Sequence, residues 1–593
     1  MREMKWEPIA FGQVHVTDSF LREGLDLEIQ YLLSLDEKRL LAGFEETAGI
    51  RPKAIRYGGW ESLEIRGHTM GHYLTALSQL WAMERNQEAY ERIERIINTL
   101  SQCQREDGYL SAFPEVLFDN VEQEKPAWVP WYTMHKIISG ITAAWKYTGI
   151  QKAYDIMERL ADWVSNRALS WTEEIRQIVL SVEYGGMNDC LYDIFQITGN
   201  IKYAMAAHQF DEIPLFEHMA KNQDQLDGLH ANTTIPKILG ALKRYVVMEE
   251  KSPLYLAAAK NFWQMVIEHH TYITGGNSEW EHFGQPNVLD AERTEYNCET
   301  CNVYNMLKLS ALLFQITGEK KYADYYERAY INSILSSQNH ETGMTTYFQP
   351  MATGFFKVYS RPYDNFWCCT GTGMESFTKQ CEHIYYAQED CLCINRFVSS
   401  EINWVQKGVQ IEIEANLLEE QPISITIKEI LEQSKYMELR VRIPEWTTDL
   451  YRLELSKEMK ERIFWYIQDG YFVLAGEWHS KDTLQVFFPM QLQQECLPDN
   501  EDVLAFRYGP FVLSANLGTE KMDTTTTGVE VTVPMKEDSI PDNIFLSKDT
   551  IAQAQKVSNA IAFQVLDDKG ESLLFEPHFL KNNVRYGIYF KQI

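Results

Sequence analysis

The sequence has 593 residues, of which 45% are hydrophobic. It is long enough for more than one domain, because single cores stop growing near roughly 250–300 residues. Its formal net charge of −29 argues against nucleic acid and anionic membranes as partners, since both bind basic surfaces, and an uncharged small ligand fits better.

The N-terminal segment MREMKWEPIAFGQVHVTDSF lacks the basic start and unbroken apolar run of a secretion signal. No apolar stretch of about 18 residues follows it. These features predict a cytoplasmic protein with no membrane partner. We expect residues 1–18 to form a separate segment that packs on a β-domain.

A short phrase recurs in the first two-thirds of the chain. The copies are ERNQEAYERI from Glu84, YTGIQKAYDI from Tyr147, ITGNIKYAMA from Ile197 and ITGEKKYADY from Ile316, with EEKSPLYLAA from Glu249 as a looser copy. Glycine after threonine caps one helix in a left-handed conformation, and the following tyrosine and alanine begin the apolar face of the next. The repeats therefore predict helical hairpins. We favour their closure into a ring over an open solenoid, because the chain has no obvious polar caps.

After about residue 390, apolar and polar residues alternate in GVQIEIEANL, ISITIK, MELRVRIPEW, GYFVLAGEW and TLQVFFPM. This pattern predicts antiparallel strands with one solvent-exposed face. The Thr-rich stretch at 521–533 and SIPDN at 539–543 are predicted loops of a second β-module. The predicted domains are a helical ring over 19–390, a β-sandwich over 391–498 and a smaller β-module over 499–593.

Two adjacent thiols, Cys368 and Cys369, stand before a Gly-Thr-Gly sequence in NFWCCTGTGMES. Their proximity is compatible with inert core residues, with a strained vicinal disulfide or with two ligands of one soft metal ion. The ten cysteines of the chain are too sparse for a disulfide scaffold, so clustered cysteines are candidates for metal binding or catalysis.

The second cysteine-rich segment, NCETCNVYN, contains Cys298, Glu299 and Cys301. Two ligands from this segment and two thiolates from the other would complete a tetrahedral zinc site. The residues after Cys301 form a periodic helix, whose N-terminal dipole favours thiolate. Spacing alone leaves open whether Glu299 or Cys298 is the fourth ligand.

These motifs occur together with GGNSEWEHF, RIPEW, GHTMGHYLTAL and DEKRLLAGFEETAGI. The combination resembles the β-L-arabinofuranosidase group, glycoside hydrolase families 127 and 146, and the last segment makes family 146 the closer. The resemblance implies a multidomain α+β fold with an N-terminal (α/α)6 barrel followed by antiparallel β-sandwich domains. It also implies a Zn2+ ion bound by one glutamate and three cysteines.

The resemblance assigns roles to particular residues. Cys368 would be the nucleophile and Glu281 the acid/base. The family usually has a small non-thiol residue at the position of Cys298, so this sequence departs from it there. A zinc site made of four thiolates, with Cys298 as the fourth ligand, therefore stays an alternative. The implied zinc ligands are Glu299, Cys301, Cys368 and Cys369.

Zinc would explain why a thiol replaces the usual carboxylate nucleophile of a retaining glycosidase. A free cysteine with a pKa near 8.5 is mostly protonated, whereas a coordinated thiol is deprotonated. For the acid, the glutamate-x-Phe context seen in the resembled family favours Glu281 over Glu279. Glu281 lies between Trp280 and His282, and we expect desolvation there to raise the pKa of its carboxyl group so that it stays protonated.

Several histidines are candidates for sugar binding or are satisfied core residues. In the resembled family, inner-barrel histidines contact the arabinose; His135 and His230 match those segments best, followed by His72. Glu183 and Asp189 flank a glycine bend in EYGGMND and either line the mouth of the ring or form a solvated turn.

The sequence therefore predicts a zinc-dependent retaining exo-glycosidase that releases terminal β-L-arabinofuranose from an arabinose-containing oligosaccharide or glycoside. One alternative is an (α/α)6 glycosidase with a carboxylate pair such as Asp189 and Glu281, and a structural zinc. The other is a zinc-stabilised carbohydrate-binding protein without catalysis. The sequence leaves the quaternary state open, and a homodimer is the state we consider.

Overall fold

The computed structural model describes residues 4–248, 252–536, 544–547, 550–557 and 560–593. Helices fill its first two-thirds and strands most of the remainder, which confirms the predicted α+β class. The predicted loop at 539–543 lies outside the described residues, as do residues 1–3 of the N-terminal segment and the first three residues of the phrase from Glu249.

The helices of the described chain follow one another from the N-terminus. They are α1 Ser19–Ser34, α2 Glu37–Thr47, α3 His68–Glu84, α4 Gln87–Cys103, α5 Val116–Glu122, α6 Pro130–Thr148, α7 Gln151–Ala168, α8 Glu173–Leu180, α9 Met187–Thr198, α10 Ile201–Gln209, α11 Ile213–Ala220, α12 Ala231–Val247, α13 Leu254–His269, α14 Thr300–Thr317, α15 Lys320–Ala329, α16 Cys368–Phe377, α17 Met459–Arg462 and α18 Thr550–Gln553. A π-helical turn over Tyr330–Leu335 extends α15.

Six helices close into an inner ring. In the order α3, α6, α9, α12, α14 and α16, each packs against the next, and α16 packs against α3. Helices α1, α4, α7, α10, α13 and α15 lie outside this ring. An outer helix buries one apolar stripe of its surface, which in α4 consists of Ile93, Ile96, Ile97 and Leu100. The inner helix α14, in contrast, has buried residues on nearly every side. This arrangement is the predicted (α/α)6 barrel.

The Thr-Gly repeats end the inner helices as predicted. Gly149, Gly199 and Gly318 follow α6, α9 and α14 with φ values of 74°, 71° and 70°, a left-handed conformation that glycine adopts without steric cost. After each of these glycines the chain reverses direction and enters an outer helix. The N-terminal ends of the inner helices therefore gather at one end of the barrel.

The strands of the described chain form three sheets and a separate hairpin. They are β1 Glu7–Pro8, β2 Val14–Val16, β3 Tyr385–Gln388, β4 Cys391–Ile394, β5 Ser400–Trp404, β6 Val409–Glu414, β7 Ile423–Ile430, β8 Lys435–Arg442, β9 Arg452–Leu455, β10 Ile463–Gln468, β11 Tyr471–Trp478, β12 Thr483–Phe487, β13 Leu492–Leu497, β14 Asn500–Tyr508, β15 Phe511–Asn516, β16 Thr524–Thr526, β17 Thr532–Pro534, β18 Phe545–Leu546, β19 Gln555–Lys556, β20 Phe563–Leu566, β21 Ser572–Pro577, β22 Tyr586–Gly587 and β23 Phe590–Gln592.

Two six-stranded sheets have the orders β1-β3-β4-β8-β11-β10 and β2-β5-β6-β7-β12-β9. The N-terminal strands β1 and β2 thus pair with one sheet each, through β3 and β5. Pairing is antiparallel except between β4 and β8, and between β18 and β23 in the third sheet. Strand β3 joins the first sheet although it precedes residue 391, and β13 pairs with β14 of the third sheet although it precedes residue 499.

The prediction of a loop at 521–533 was wrong. Residues Thr524–Thr526 and Thr532–Pro534 pair antiparallel as the hairpin β16–β17. Threonine and valine are β-branched and suit an extended backbone, and Val531 and Val533 are buried in a cluster with Trp60 and Trp367 of the barrel. Tertiary packing, which a local reading of composition does not include, therefore orders this stretch.

The buried carboxyl of Glu28 in α1 gives a testable pH dependence. Its Oε1 atom has no hydrogen-bond partner, and burial raises its pKa from 4.5 to about 8. The folded protein therefore binds this proton more tightly than the unfolded chain, so its contribution to stability is complete below pH 4.5 and is lost as pH rises toward 8. The loss is on the order of 4–5 kcal/mol at about 1.4 kcal/mol per pKa unit. We expect Glu28→Gln to flatten the dependence of the unfolding free energy on pH between 4.5 and about 8, and to raise the thermal midpoint at pH 8. Denaturant titrations that give the wild type and the variant the same dependence on pH would contradict this prediction.

Among the described residues, no helix is both long enough and apolar enough to cross a bilayer.

Candidate active site

One glutamate and three cysteines meet at the N-terminal ends of two inner helices. Glu299 immediately precedes α14 and Cys301 lies in its first turn, whereas Cys368 and Cys369 begin α16. All four are buried, and one ligand atom of each lies within 4.8 Å of the others. Closure of the barrel places α14 beside α16, which brings together residues 68 positions apart in sequence.

The geometry of this cluster fits a zinc ion. The Sγ atom of Cys369 lies 3.2 Å from that of Cys301 and 3.9 Å from that of Cys368, and Cys368 Sγ lies 3.6 Å from Glu299 Oε1. Tetrahedral zinc with Zn–S bonds of about 2.3 Å separates its sulfur ligands by about 3.8 Å. Glu299 Oε2 is buried without a hydrogen-bond partner, as expected of an atom free to bind a cation.

Burial also determines the charge state of this cluster. It raises the pKa of the Cys368 and Cys369 thiols and of the Glu299 carboxyl well above their ordinary values. Several negative charges at such short distances repel one another, so these groups do not ionise together without a compensating positive charge. A bound divalent cation would supply that charge.

Cys298 lies outside the cluster. Its backbone has a φ of 55°, and its side chain is buried beside Gly276 and hydrogen-bonded to Thr274. Burial raises the pKa of this thiol, so it stays protonated. Of the two candidates for the fourth ligand, the structure therefore brings Glu299 rather than Cys298 to the three thiols.

Glu281 lies beside the cluster and is joined to Cys368 through Tyr347. The Tyr347 hydroxyl donates a hydrogen bond to Glu281 Oε1 and lies 3.5 Å from Cys368 Sγ. His230, which precedes α12, places its Nε2 atom 3.7 Å from Glu281 Oε2. Trp280 and Glu281 have φ values of 45° and 68°, and such strained backbone is typical of functional sites.

The predicted rise of the Glu281 pKa was wrong. Burial raises this pKa, but His230, through hydrogen bonding and its charge, and the Tyr347 hydroxyl together lower it by more than burial raises it. The pKa of Glu281 therefore lies below its ordinary value. For His230, burial lowers the pKa, but the carboxylates of Glu183 and Glu281 raise it to about 9. The expectation rested on sequence neighbours, whereas the groups that decide the pKa come from distant segments.

These residues surround a cavity that opens to solvent. Glu183, His230, Glu281, Glu299 and Cys368 all line it. The cavity thus combines a thiol, a carboxyl group and polar side chains of the kind that hydrogen-bond sugar hydroxyls.

Two of the predicted sugar-binding histidines do not line this cavity. His72 is buried, with its Nδ1 atom 2.5 Å from Glu375 Oε1, and burial lowers its pKa to about 4. His135 accepts a hydrogen bond from the Gly186 N–H at 3.1 Å through Nδ1. Of the three, the structure brings only His230 to the cavity wall.

Asp189 is also absent from the cavity wall. Its carboxylate lies 3.4 Å from Lys308 Nζ, and the structure does not bring it to Glu281. Glu183, on the other side of the glycine bend, does line the cavity. Glu279 accepts a hydrogen bond from the Thr294 hydroxyl at 3.1 Å and lies outside the lining.

Sequence reasoning missed Tyr132, Asn232 and Tyr347. The Tyr132 hydroxyl is buried in the cavity wall without a hydrogen-bond partner, and the Asn232 amide donates to Glu299 Oε1 at 3.2 Å. Asn232 stands two residues after His230, so the GLHANTT motif offered a signal for it. Tyr347 lies in MTTYFQP, which contains no recognisable motif.

Comparison with known protein families gives two matches. Residues 13–382 match the model described as the β-L-arabinofuranosidase GH127 catalytic domain, and residues 391–490 match the GH127 middle domain. No curated protein sequence shows significant similarity to the chain.

Solved structures with the same overall fold include a GH127 β-arabinofuranosidase, with a TM-score of 0.75 and 18% identity, covering 100% of this chain and 98% of that one. A GH127 β-L-arabinofuranosidase from Geobacillus stearothermophilus T6 has a TM-score of 0.72 and 16% identity, covering 98% of this chain and 100% of that one. A further glycoside hydrolase has a TM-score of 0.73 and 15% identity, covering 99% and 98%.

Proposed function

Because the chain belongs to the GH127 β-L-arabinofuranosidase family and is a glycoside hydrolase, we propose that it is a retaining exo-enzyme that releases terminal β-L-arabinofuranose. Cys368 is the proposed nucleophile and Glu281 the proposed acid/base. The observation that carries this proposal is the position of Tyr347, whose hydroxyl contacts both Cys368 and Glu281 inside one cavity.

In the first step, the Cys368 thiolate attacks the anomeric carbon and forms a C–S bond while the glycosidic C–O bond breaks. The leaving oxygen receives its proton through Glu281, which takes it from protonated His230, whose Nε2 atom lies 3.7 Å from Glu281 Oε2. In the second step, Glu281 accepts a proton from water, the water oxygen bonds to the anomeric carbon, and the C–S bond breaks. Two displacements return the anomeric carbon to its original configuration.

The proposed zinc ligands are Glu299, Cys301, Cys368 and Cys369. Bound zinc would keep the thiols deprotonated at neutral pH. The amide of Asn232 orients Glu299, and the Thr372 hydroxyl lies 3.2 Å from Cys301 Sγ. These contacts fix the ligand side chains before substrate arrives.

A panel of aryl glycosides tests the substrate. We expect hydrolysis of a 4-nitrophenyl β-L-arabinofuranoside, with much slower hydrolysis of its α anomer and of the β-L-arabinopyranoside, because hydroxyl partners in the cavity are fixed. Proton NMR of the first sugar released should show the β anomer. Initial release of the α anomer would refute retention, and inactivity on every furanoside would favour a carbohydrate-binding protein.

Metal content is the next prediction. We expect one zinc per chain by elemental analysis, and we expect Cys369→Ser to lose the metal and to lower the thermal midpoint, since the metal ties α14 to α16. Cys496→Ser is the matched control, because that thiol is exposed and far from the cluster in sequence. Active wild-type protein without zinc would contradict this prediction.

A further inference from the structure

The hairpin β16–β17 reaches the active-site cavity from the C-terminal module. Trp60 Nε1 donates a hydrogen bond to the Val529 carbonyl at 3.0 Å, and Trp367 Nε1 donates one to the Glu530 carbonyl at 3.2 Å. Trp367 immediately precedes Cys368, and Val529 lines the cavity together with Cys368 and Glu281. The tip of the hairpin is therefore part of the wall around the proposed nucleophile.

The cavity has a closed end and an open end, which its lining residues distinguish. Cys368, Glu299 and Tyr347 are buried, whereas Trp128, Val129 and Val529 are partly exposed, together with Glu183, His230 and Glu281. The terminal sugar of an exo-enzyme must reach the nucleophile at the closed end. The group that leaves with the glycosidic oxygen therefore stays at the open end, beside Trp128, Val129 and Val529.

The charges around the cavity limit what that group can be. The cavity is lined by the carboxyl groups of Glu183, Glu281 and Glu299. Nearby, the exposed Glu64 accepts a hydrogen bond from the Trp128 backbone N–H at 2.8 Å. None of the described residues that line this cavity is lysine or arginine. A negatively charged leaving group would meet the carboxylates of Glu183 and Glu281, and the one cationic side chain of the described lining, His230, already faces Glu281.

We propose that Val529, with Trp128 and Val129, forms a leaving-group subsite that selects an uncharged sugar. This subsite rests on the proposed function and extends it to the second sugar of the substrate. The indole of Trp128, held by an edge contact with Trp60 at a centroid distance of 5.1 Å, offers an apolar surface for the C–H face of a sugar ring. Val529 lines the same cavity from the hairpin β16–β17.

The first test compares leaving groups. For Val529→Ala and Trp128→Ala we expect kcat/KM on a β-L-arabinofuranosyl disaccharide to fall about tenfold, because loss of one apolar contact with the leaving sugar costs at least about that factor. On the methyl β-L-arabinofuranoside, whose leaving group makes no such contact, kcat/KM should stay nearly constant. A disaccharide whose leaving sugar is a uronic acid should be a poor substrate for the wild type. Thr525→Ala is the control, since Thr525 is exposed on the same hairpin and outside the lining. Equal losses on both uncharged substrates, or efficient cleavage of the acidic one, would overturn the proposal.

The second test needs no substrate. Val529→Trp should slow labelling of Cys368 by a bulky maleimide more than labelling by iodoacetamide, while the exposed Cys496 is labelled at the wild-type rate in both cases. Peptide mass spectrometry gives the labelling rate at each thiol. Unchanged labelling of Cys368 would show that Val529 does not border its access route, whether or not the enzyme acts on arabinofuranosides.

Discussion

Replacement of Cys368 by serine is expected to lower kcat by about 1,000-fold or more, because a serine hydroxyl is far harder to ionise than a metal-bound thiol. The serine side chain is nearly isosteric, so the cavity and the contact with Tyr347 should persist. Activity measured on an activated aryl β-L-arabinofuranoside separates loss of the nucleophile from loss of leaving-group protonation, since such a substrate needs little help from an acid.

The matched control is Cys103→Ser. Cys103 is also buried, but it lies at the end of the outer helix α4, outside the cluster. It should keep wild-type kcat, whatever it costs in stability. A Cys368→Ser variant that keeps more than about a tenth of wild-type kcat would show that another group attacks the anomeric carbon.

Glu281→Gln is expected to reduce kcat/KM on natural β-L-arabinofuranosides by about 100- to 10,000-fold, the usual contribution of a general acid. Departure of an alkoxide needs a proton, whereas departure of a dinitrophenolate hardly does. The variant should therefore form the glycosyl-enzyme from an activated aryl glycoside at nearly the wild-type rate and hydrolyse it slowly. Stopped-flow measurements should show a burst of phenolate followed by a slow steady state.

Glu279→Gln is the control for this second prediction. Glu279 lies two residues before Glu281 in sequence, accepts a hydrogen bond from Thr294 and does not line the cavity. Wild-type hydrolysis of natural glycosides by Glu281→Gln would contradict the assignment, and Glu183 would then be the next candidate because it shares the cavity.

Much of the fold was predictable because local sequence determines it. The Thr-Gly phrases end inner helices where the chain reverses, and the alternating segments after residue 390 are strands. The Thr-rich hairpin was not predictable from local composition. Burial of Val531 and Val533 against the barrel orders it, and that contact joins residues more than 160 positions apart.

The candidate site was predictable only in part, for a similar reason. The cysteine motifs identified the cluster, but spacing did not separate Glu299 from its neighbour Cys298. The left-handed backbone at Cys298 accompanies its burial beside Gly276, away from the thiols. Tyr347 and the low pKa of Glu281 depend on contacts between distant segments, which no local motif contains.

Mass spectrometry of a trapped glycosyl-enzyme tests the role of Cys368 most directly. The Glu281→Gln variant, incubated with a 2,4-dinitrophenyl β-L-arabinofuranoside and quenched in acid, should gain the mass of one pentosyl residue on the peptide that contains Cys368. Fragmentation should place the added mass on the Cys368 sulfur. Attachment to a carboxylate such as Glu183 would contradict the proposed nucleophile, as would a steady-state reaction in which no adduct forms.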